Sequence, residues 1–479
     1  MSMSFVRDKM LPQKAPPITE QGAVKWVREN LFSSWFNAIL TVLAIVALYY
    51  LVQGSLPWWL HSVWDANSLG ECREVIAAKW GEGQSGACWA MIRERWHQFF
   101  FGFYPSEEYW RPVTTFALMF VALAPVLYFG LRVPNTIMTG VVSLLLLVAL
   151  WAMGTDSKHM IIVGVIMVHL VAFAWVAPKK LLLVTALFPA IMFFLLWGGS
   201  VWAPINTLLG FGVLVLAMKL LQPHFGVFLT VALGVANAVV WWLLIQSDAT
   251  ALMHGAFPIG LSKIDSDQFG GFLLAFVIGV SAISASLPLG ILLALGRKSD
   301  MLLIKSLCVG FIEFCRGVPL ITMLFTASLL LQYFLPRGTN FDLILRVVIL
   351  VTLFSAAYIA EVVRGGLAAL PRGQYEAADA LGLDYWQAHR LIIMPQALKI
   401  SIPGIVSSFI GLFKDTVLVA FVGLADPLKG ITAIVRADIN WKGIYWEPYI
   451  FVGAIFFIFC FGMSRYSMYL ENKLKRDHR

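Results

Sequence analysis

The feature that most constrains this chain is a succession of apolar runs with almost no charge, separated by short polar breaks. A helix crossing a bilayer needs about 20 mostly apolar residues, because no water is present to satisfy an exposed backbone. Such runs lie near residues 36–52, 113–131, 133–153, 160–177, 181–200, 206–222, 225–246, 269–295, 317–335, 343–363, 401–424 and 447–470. The expected fold is therefore an all-α polytopic membrane protein with about 12 transmembrane helices. With 59% of residues hydrophobic and 13% charged, a soluble protein, a disordered chain and a disulfide scaffold are all excluded. Little soluble mass remains for an attached nucleotide-hydrolysing domain. The net charge of +8 comes from Lys and Arg in loops flanking the membrane, so no nucleic-acid partner is expected.

Those loops also set the orientation. Arg132, Lys179, Lys180, Lys219, Arg297, Lys298, Lys305, Arg364, Arg372, Arg390, Lys399 and Arg465 collect on one side. The short loops on the other hold Lys158, Lys263, Arg337, Lys429, Arg436 and Lys442. Positive charge marks the cytoplasmic face, so both termini are expected inside. The first run lacks a small-x-small cleavage site and reads as an uncleaved anchor.

Residues 53–112 form the one long segment outside the membrane, rich in Trp and carrying Cys72 and Cys88. In an oxidising compartment these two cysteines are a disulfide candidate; the alternative is two unrelated thiols. Cys308, Cys315 and Cys460 lie in predicted helices and read as packing residues. No metal-ligand spacing occurs, so no metal is expected.

Charge is distributed unevenly. Spans between 113 and 295 contain almost no ionisable residue, whereas from 301 onward charges recur within or beside apolar segments. Charges in hydrocarbon are costly and tend to be functional or partnered. Snorkelling at helix ends is the alternative, and it suits Arg346 and Arg465 better than Lys414.

One cytoplasmic segment carries a distinctive pattern: Glu376-Ala377-Ala378-Asp379-Ala380-Leu381-Gly382, then Leu383 to Leu391, then Ile392-Ile393-Met394-Pro395. It reads as a short helix with small residues on one side, a Gly bend, a second amphipathic helix and a Pro stop. By physics alone this is either a docking element that lets another protein approach its backbone or an ordinary helix on the membrane surface.

Glu-Ala-Ala, three residues, Gly, nine residues, Ile, one residue and then Leu-Pro is the pattern of the EAA loop of ABC importer permeases, which this segment resembles. Glu376, Ala377, Ala378, Gly382, Ile392 and Pro395 match, and Met394 stands where Leu is usual, a volume-conserving change. Further segments are similar to polar amino-acid permeases of the histidine, glutamine and arginine uptake type. They are Arg316-Gly317-Val318-Pro319-Leu320, Ala360 to Gly366, Pro371-Arg372-Gly373-Gln374 and Lys414-Asp415-Thr416, with Val318 and Val417 replacing hydroxyl residues. The resemblance covers about 269–479. A long permease with added N-terminal helices also resembles the M-type membrane subunit of the general L-amino-acid permease.

The resemblance implies three regions: a cytoplasmic tail at 1–35, an accessory transmembrane region at 36–268, and a five-helix type I permease core at 269–479 with a coupling loop at 364–400. It implies that Glu376, Ala377, Ala378, Gly382, Ile392, Pro395, Arg372 and Gln374 couple to an ATPase, with Glu376 anchored by an ion pair or cap. An amino acid presents a carboxylate and an ammonium, so groups of both signs are candidates for binding it. Lys414, Asp415 and Thr416 near the middle of one span are such groups, although satisfaction against other helices is an equal alternative. Glu361 pairs with Arg364 three residues on, or binds an ammonium. Tyr358 is a gate or a packing residue. Arg316 and Pro319 flank a permitted helix break.

No GxxxxGK[ST] phosphate loop occurs. The chain is thus expected to be a transport subunit and not an enzyme, binding no cofactor itself, with ATP and Mg on a partner ABC ATPase dimer. A second permease subunit, a periplasmic amino-acid-binding protein and the lipid bilayer complete the expected partners, in the bacterial inner membrane. Two other readings stay open at this point: an ion-coupled secondary carrier using Glu361 and Asp415, and a non-transporting membrane scaffold.

Overall fold

The computed structural model describes residues 22–334 and 342–476; most of the expected N-terminal tail and Arg337 lie outside them. Ten helices among the described residues are long and apolar enough to cross a membrane. A bent pair, Leu302–Gly317 with Leu320–Leu330, and a shorter apolar helix, Leu182–Trp197, account for the two remaining apolar runs.

The chain forms two compact units, one running to Glu94 and including Ile439–Glu447, the other comprising Arg95–Asp438 and Pro448 onward. In the first, α1 (Gly22–Asn30) leads to α2 (Trp35–Leu60), whose first turn is capped by Ser34 accepting from the Asn37 N–H. No residue of α2 is buried. Helix α3 (Leu69–Trp80) is capped by Ser68, and its Cys72 is disulfide-bonded to Cys88, just before α4 (Ala90–Phe101). Beside the bond Val63 donates to the Ala87 carbonyl and accepts from the Trp89 N–H, a parallel bridge about Cys88.

The second unit carries α5 (Trp110–Leu127), α6 (Arg132–Ala152), α7 (Ser157–Val176), α8 (Leu182–Trp197), α9 (Trp202–Leu221), α10 (Val227–Val240) and α11 (Gln246–Ala256). A two-residue strand β1 (Gly199–Ser200) pairs antiparallel with β2 (Gly260–Leu261). Beside it Arg111, 1% exposed, donates to the Ser262 carbonyl and hydroxyl and pairs with Glu108 at 2.8 Å. This buried cation is held by three acceptors, which offset the cost of taking it out of water.

The remaining elements are α12 (Gly271–Arg297), α13 (Leu302–Gly317), α14 (Leu320–Phe334), α15 (Leu343–Ala368), α16 (Arg372–Ala380), α17 (Tyr385–Ala388), α18 (Met394–Asp415), α19 (Pro427–Ala437) and α20 (Trp446–Arg476). Helix α12 buries a stripe of small residues at helical spacing: Ala275, Gly279, Ala282, Ser286, Gly290 and Ala294. Small side chains let backbones approach where the lipid gives no hydrophobic drive to associate. A Cβ at Gly290 would lie 2.6 Å from the Ile359 Cγ2 of α15, so this close packing admits nothing larger. The expected boundary at 269 is a change in charge density and not a gap in packing. Leu118, Val121 and Leu146 share one buried cluster with Leu273, Ile278 and Val347.

Candidate functional site

The charged residues of the C-terminal half come together at the end of α12. Glu361 on α15 accepts from Arg297 at 2.6 Å and from Arg364 Nε at 3.1 Å, and Arg316 lies 3.6 Å away. Glu313 on α13 pairs with Arg297 at 2.9 Å and, more loosely, with Arg316 at 4.0 Å. Glu361 is 15% exposed, whereas Arg316 and Arg364 are 37% and 43% exposed. One nearly buried carboxylate thus takes three guanidiniums from three helices, and the set of three Arg against two Glu keeps a positive surplus. Tyr358, one turn before Glu361, lies under Arg316 with 6.0 Å from the guanidinium to the ring centroid.

Glu361 and Arg364 therefore pair as their three-residue spacing predicts, but Arg297 is the partner that the spacing does not announce. Its neighbour Lys298 donates to the Tyr375 hydroxyl of α16 at 3.2 Å and lies over that ring. Arg346, expected at an interface, is instead 5% exposed and donates to the Ser328 carbonyl of α14 at 2.7 Å.

Two helix breaks interrupt the C-terminal helices, the first of them beside this cluster. Between α13 and α14 the chain turns by 104°, with Val318 extended and Pro319 leading into α14. Proline supplies no N–H to continue the first helix, and the residue before it avoids the helical region. At the other break α18 ends at Asp415 and Thr416–Val422 continues as a seven-residue 3-10 helix, closed by Gly423 at φ 100°. Runs of 3-10 this long are uncommon and mark strain or a hinge. Helix α14 packs on this stretch, and Leu320, Leu324, Leu412 and Val419 share one buried cluster.

The structure thus corrects the setting of Lys414 and Asp415, which end an α-helix and do not lie within a continuous one. Lys414 is exposed, Asp415 half-buried, and Thr416 buried with its hydroxyl donated to the Phe413 carbonyl. They are not brought to Glu361. Ser401 and Gly404 meet α15 at Val362, and Lys414 lies ten residues beyond Gly404, about 15 Å along the helix. Arg316, Glu361 and Tyr358 form one group, Lys414–Thr416 another, and the Pro319 break lies between them in the chain of contacts.

The segment expected to couple folds as α16, a left-handed Gly382 at φ 68°, and α17. Asp384 caps α17 and forms a capping box with Gln387. A five-residue π turn, His389–Ile393, then runs into α18. Pro395 is therefore not a stop: it sits in the first turn of α18, where its missing N–H costs little. Glu376 is exposed and makes no hydrogen bond or ion pair among the described residues, so the expected anchor is not formed within the chain. Ala378 is 1% exposed and packs inward, leaving Ala377 as the small residue presented outward. Arg372 is exposed, Ile392 half-buried, and Gln374 accepts from Gln396 Nε2 at 2.9 Å, tying α16 to α18. Leu381, Tyr385, Trp386 and Leu391 are exposed on the same segment, at 72%, 51%, 66% and 63%. An apolar patch of this kind at the end of a capped and bent element is suited to covering by another protein.

The family model described as "binding-protein-dependent transport system inner membrane component" matches residues 286–476, the stretch that holds every residue of both groups. The chain is 60% identical over 476 residues, 99% of each chain, to a glutamate/glutamine/aspartate/asparagine transport system permease protein of Rhodobacter capsulatus. It is 36% identical to an inner membrane amino-acid ABC transporter permease protein of Escherichia coli, over 94% of this chain and 93% of the relative. Among solved structures, a crystal structure of an amino acid ABC transporter with histidines aligns at 30% identity and a TM-score of 0.38, over 42% of this chain and 91% of that one.

Proposed function

The chain belongs to the permease subunits of amino-acid ABC importers, and on that premise we propose that it carries acidic amino acids and their amides, the substrates in the name of the Rhodobacter capsulatus relative. Membership in this family sets aside the ion-coupled carrier and the non-transporting scaffold. The observation that carries the substrate reading is the pair of helix breaks that meet through α14, each with charged residues at its end. Discontinuous helices near the middle of a membrane protein expose backbone groups and side chains to a passing ligand.

On this reading the amino acid meets Lys414, Asp415 and Thr416 first, where both signs of charge and a hydroxyl are available. It then passes Pro319 and Tyr358 toward Arg316 and Glu361. The three guanidiniums there against two carboxylates favour a ligand bearing a second carboxylate. Residues 53–112 and both outer helix ends face the periplasm, and both termini face the cytoplasm. ATP and Mg bind a partner ABC ATPase dimer that docks on Glu376, Ala377, Gly382 and the exposed aromatics of the coupling segment, with Arg372, Gln374, Ala378, Ile392 and Pro395 shaping it. A second permease subunit and a periplasmic amino-acid-binding protein complete the importer. ATP closure of the ATPase dimer draws the coupling segments together and opens the Lys414 region outward, giving alternating access.

The test is uptake of labelled glutamate by the reconstituted complex in competition with each of the twenty amino acids. Glutamate, aspartate, glutamine and asparagine should compete, the acidic pair most strongly. Equal competition by arginine or leucine would overturn the substrate assignment.

A further inference from the structure

The N-terminal module holds the connection between α19 and α20 at two points. Glu447, 6% exposed, accepts the Cys88 backbone N–H at 2.8 Å. Trp441, fully buried, donates its indole N–H to Glu94 at 3.0 Å. Within the second unit, Asp438, which caps the end of α19, is ion-paired with Arg95. The module's two partners lie on a single short stretch, Cys88 and Glu94, of which the first is held by the disulfide to α3. A Cβ built on Gly443, which takes φ 95°, would meet Leu69 Cδ2 at the start of α3 at 4.0 Å.

The arrangement joins parts of the chain some 350 residues apart in sequence, 359 in the case of Cys88 and Glu447. The connection is short: a 3-10 turn at Ile439–Trp441, the Gly443 bend, and then Trp446 at the start of α20. Both ends run directly into helices of the permease region, α19 and α20. Residues 439–447 lie in the compact unit of the N-terminal module and not with the helices they connect. A buried carboxylate bound to a backbone N–H is a charge-assisted contact that gives way only at considerable cost. The Cys88 N–H is presented to it at a fixed place because Cys88 is tethered to Cys72 and bridged to Val63.

We propose that the Cys72–Cys88 module is a positioning device that holds the α19–α20 connection in the shape from which the binding protein triggers transport. Glu447 is the positioning residue through which it acts. The inference rests on the reading that this face is periplasmic and receives the binding protein. The disulfide then serves coupling to that protein and not the integrity of the bundle, and an N-terminal region that adds no charge to the transport path acquires a role in admission.

The experiment uses the full reconstituted complex in proteoliposomes, stimulated by glutamate-loaded amino-acid-binding protein, with ATPase rate as readout. Stimulation of the wild-type complex tests the underlying reading; its absence would remove that reading first. Given stimulation, Glu447→Leu and the double variant Cys72→Ser/Cys88→Ser should each raise the half-maximal binding-protein concentration about tenfold, with basal and maximal rates unchanged. Glu447→Gln, which keeps an acceptor for the Cys88 N–H, should stay within twofold of wild type. A membrane-impermeant phosphine reductant should reproduce the shift when added on the binding-protein side and not from the ATPase side. Half-maximal concentrations within twofold of wild type for Glu447→Leu would overturn the inference. So would a parallel loss of basal rate or of assembled complex, because the module would then be a folding element.

Discussion

Helices α5–α11 and helices α12–α18 both carry polar groups within apolar helices, but they satisfy them differently. In the first set, apart from Arg111 at the start of α5, the partners are mostly local and neutral. Ser143 donates to the Thr139 carbonyl at 2.7 Å, Thr207 to Ala203 at 2.9 Å and Asn237 to Leu233 at 2.8 Å, each one turn back on its own helix. Where α5–α11 bond across helices, as Thr185 does to the Ala122 carbonyl and Asn206 to Thr250, the groups are again uncharged. In the second set charges bond across helices: Arg297 to Glu313 and Glu361, Arg316 to Glu361, Arg346 to the Ser328 carbonyl. A hydrogen bond to the same helix survives any rigid movement of that helix. An ion pair between helices does not, and its partners must be remade or hydrated when the helices separate. On this difference α5–α11 are expected to act as scaffold and α12–α18 as the part whose arrangement changes.

The largest effect that would break this contrast is at Glu361. Replacing it with Leu leaves three guanidiniums without the carboxylate that gathers them, and removing one partner of a buried ion pair costs about 3–5 kcal/mol. Partial exposure of Arg316 and Arg364 puts the expected loss at the low end of that range. Labelled glutamate uptake should fall to background and the thermal midpoint of the purified complex should drop. Glu361→Leu with wild-type uptake would mean that the cross-helix charges are structural ornaments of the same kind as Ser143.

Next in size is the coupling segment, whose contrast with the scaffold is that its surface is unfinished. Gly382 adopts φ 68°, and a Cβ added there would meet nothing within 4 Å, so a larger residue encounters strain and not a clash. Left-handed backbone costs a non-glycine residue about 1–2 kcal/mol, too little to unfold a bundle this large. Gly382→Trp should insert normally and abolish ATPase stimulation by the binding protein in the reconstituted complex. Stimulated hydrolysis at wild-type level in this variant would take the docking role away from the segment.

Much of this was legible in the sequence, and what was not has physical causes. Apolar runs announced the spans because each crossing must satisfy its own backbone. Helix α13 escaped because Lys305, Glu313 and Arg316 interrupt its hydropathy, and the last two are residues whose partners lie on other helices. Spacing revealed the Glu361–Arg364 pair, since a helix brings residues three apart to one face. It carried no information on Arg297 or Lys298, which met the eye only as positive charge on the inner side. The coupling pattern identified α16 and Gly382 but not which alanine points outward, because Ala377 and Ala378 are chemically identical and only packing distinguishes them. The Cys72–Cys88 bond was readable from two cysteines in one segment; its hold on Glu447 was not, because nothing local links them.

The smallest expected effect sharpens the comparison from the scaffold side. Ser143 lies on α6, is 8% exposed and gives its hydrogen bond to its own helix. Its replacement by Ala removes a donor together with the need to satisfy it, and leaves the Thr139 carbonyl in its ordinary helical bond. Membrane hydrogen bonds of this kind average about 0.6 kcal/mol, because the alternative states also find partners. Ser143→Ala should therefore shift stability by less than about 1 kcal/mol and leave glutamate uptake and stimulated ATPase activity unchanged. A loss of transport without a loss of stability would show that α6 changes its contacts during the cycle. The division would then have to be drawn inside α5–α11 and not at the start of α12.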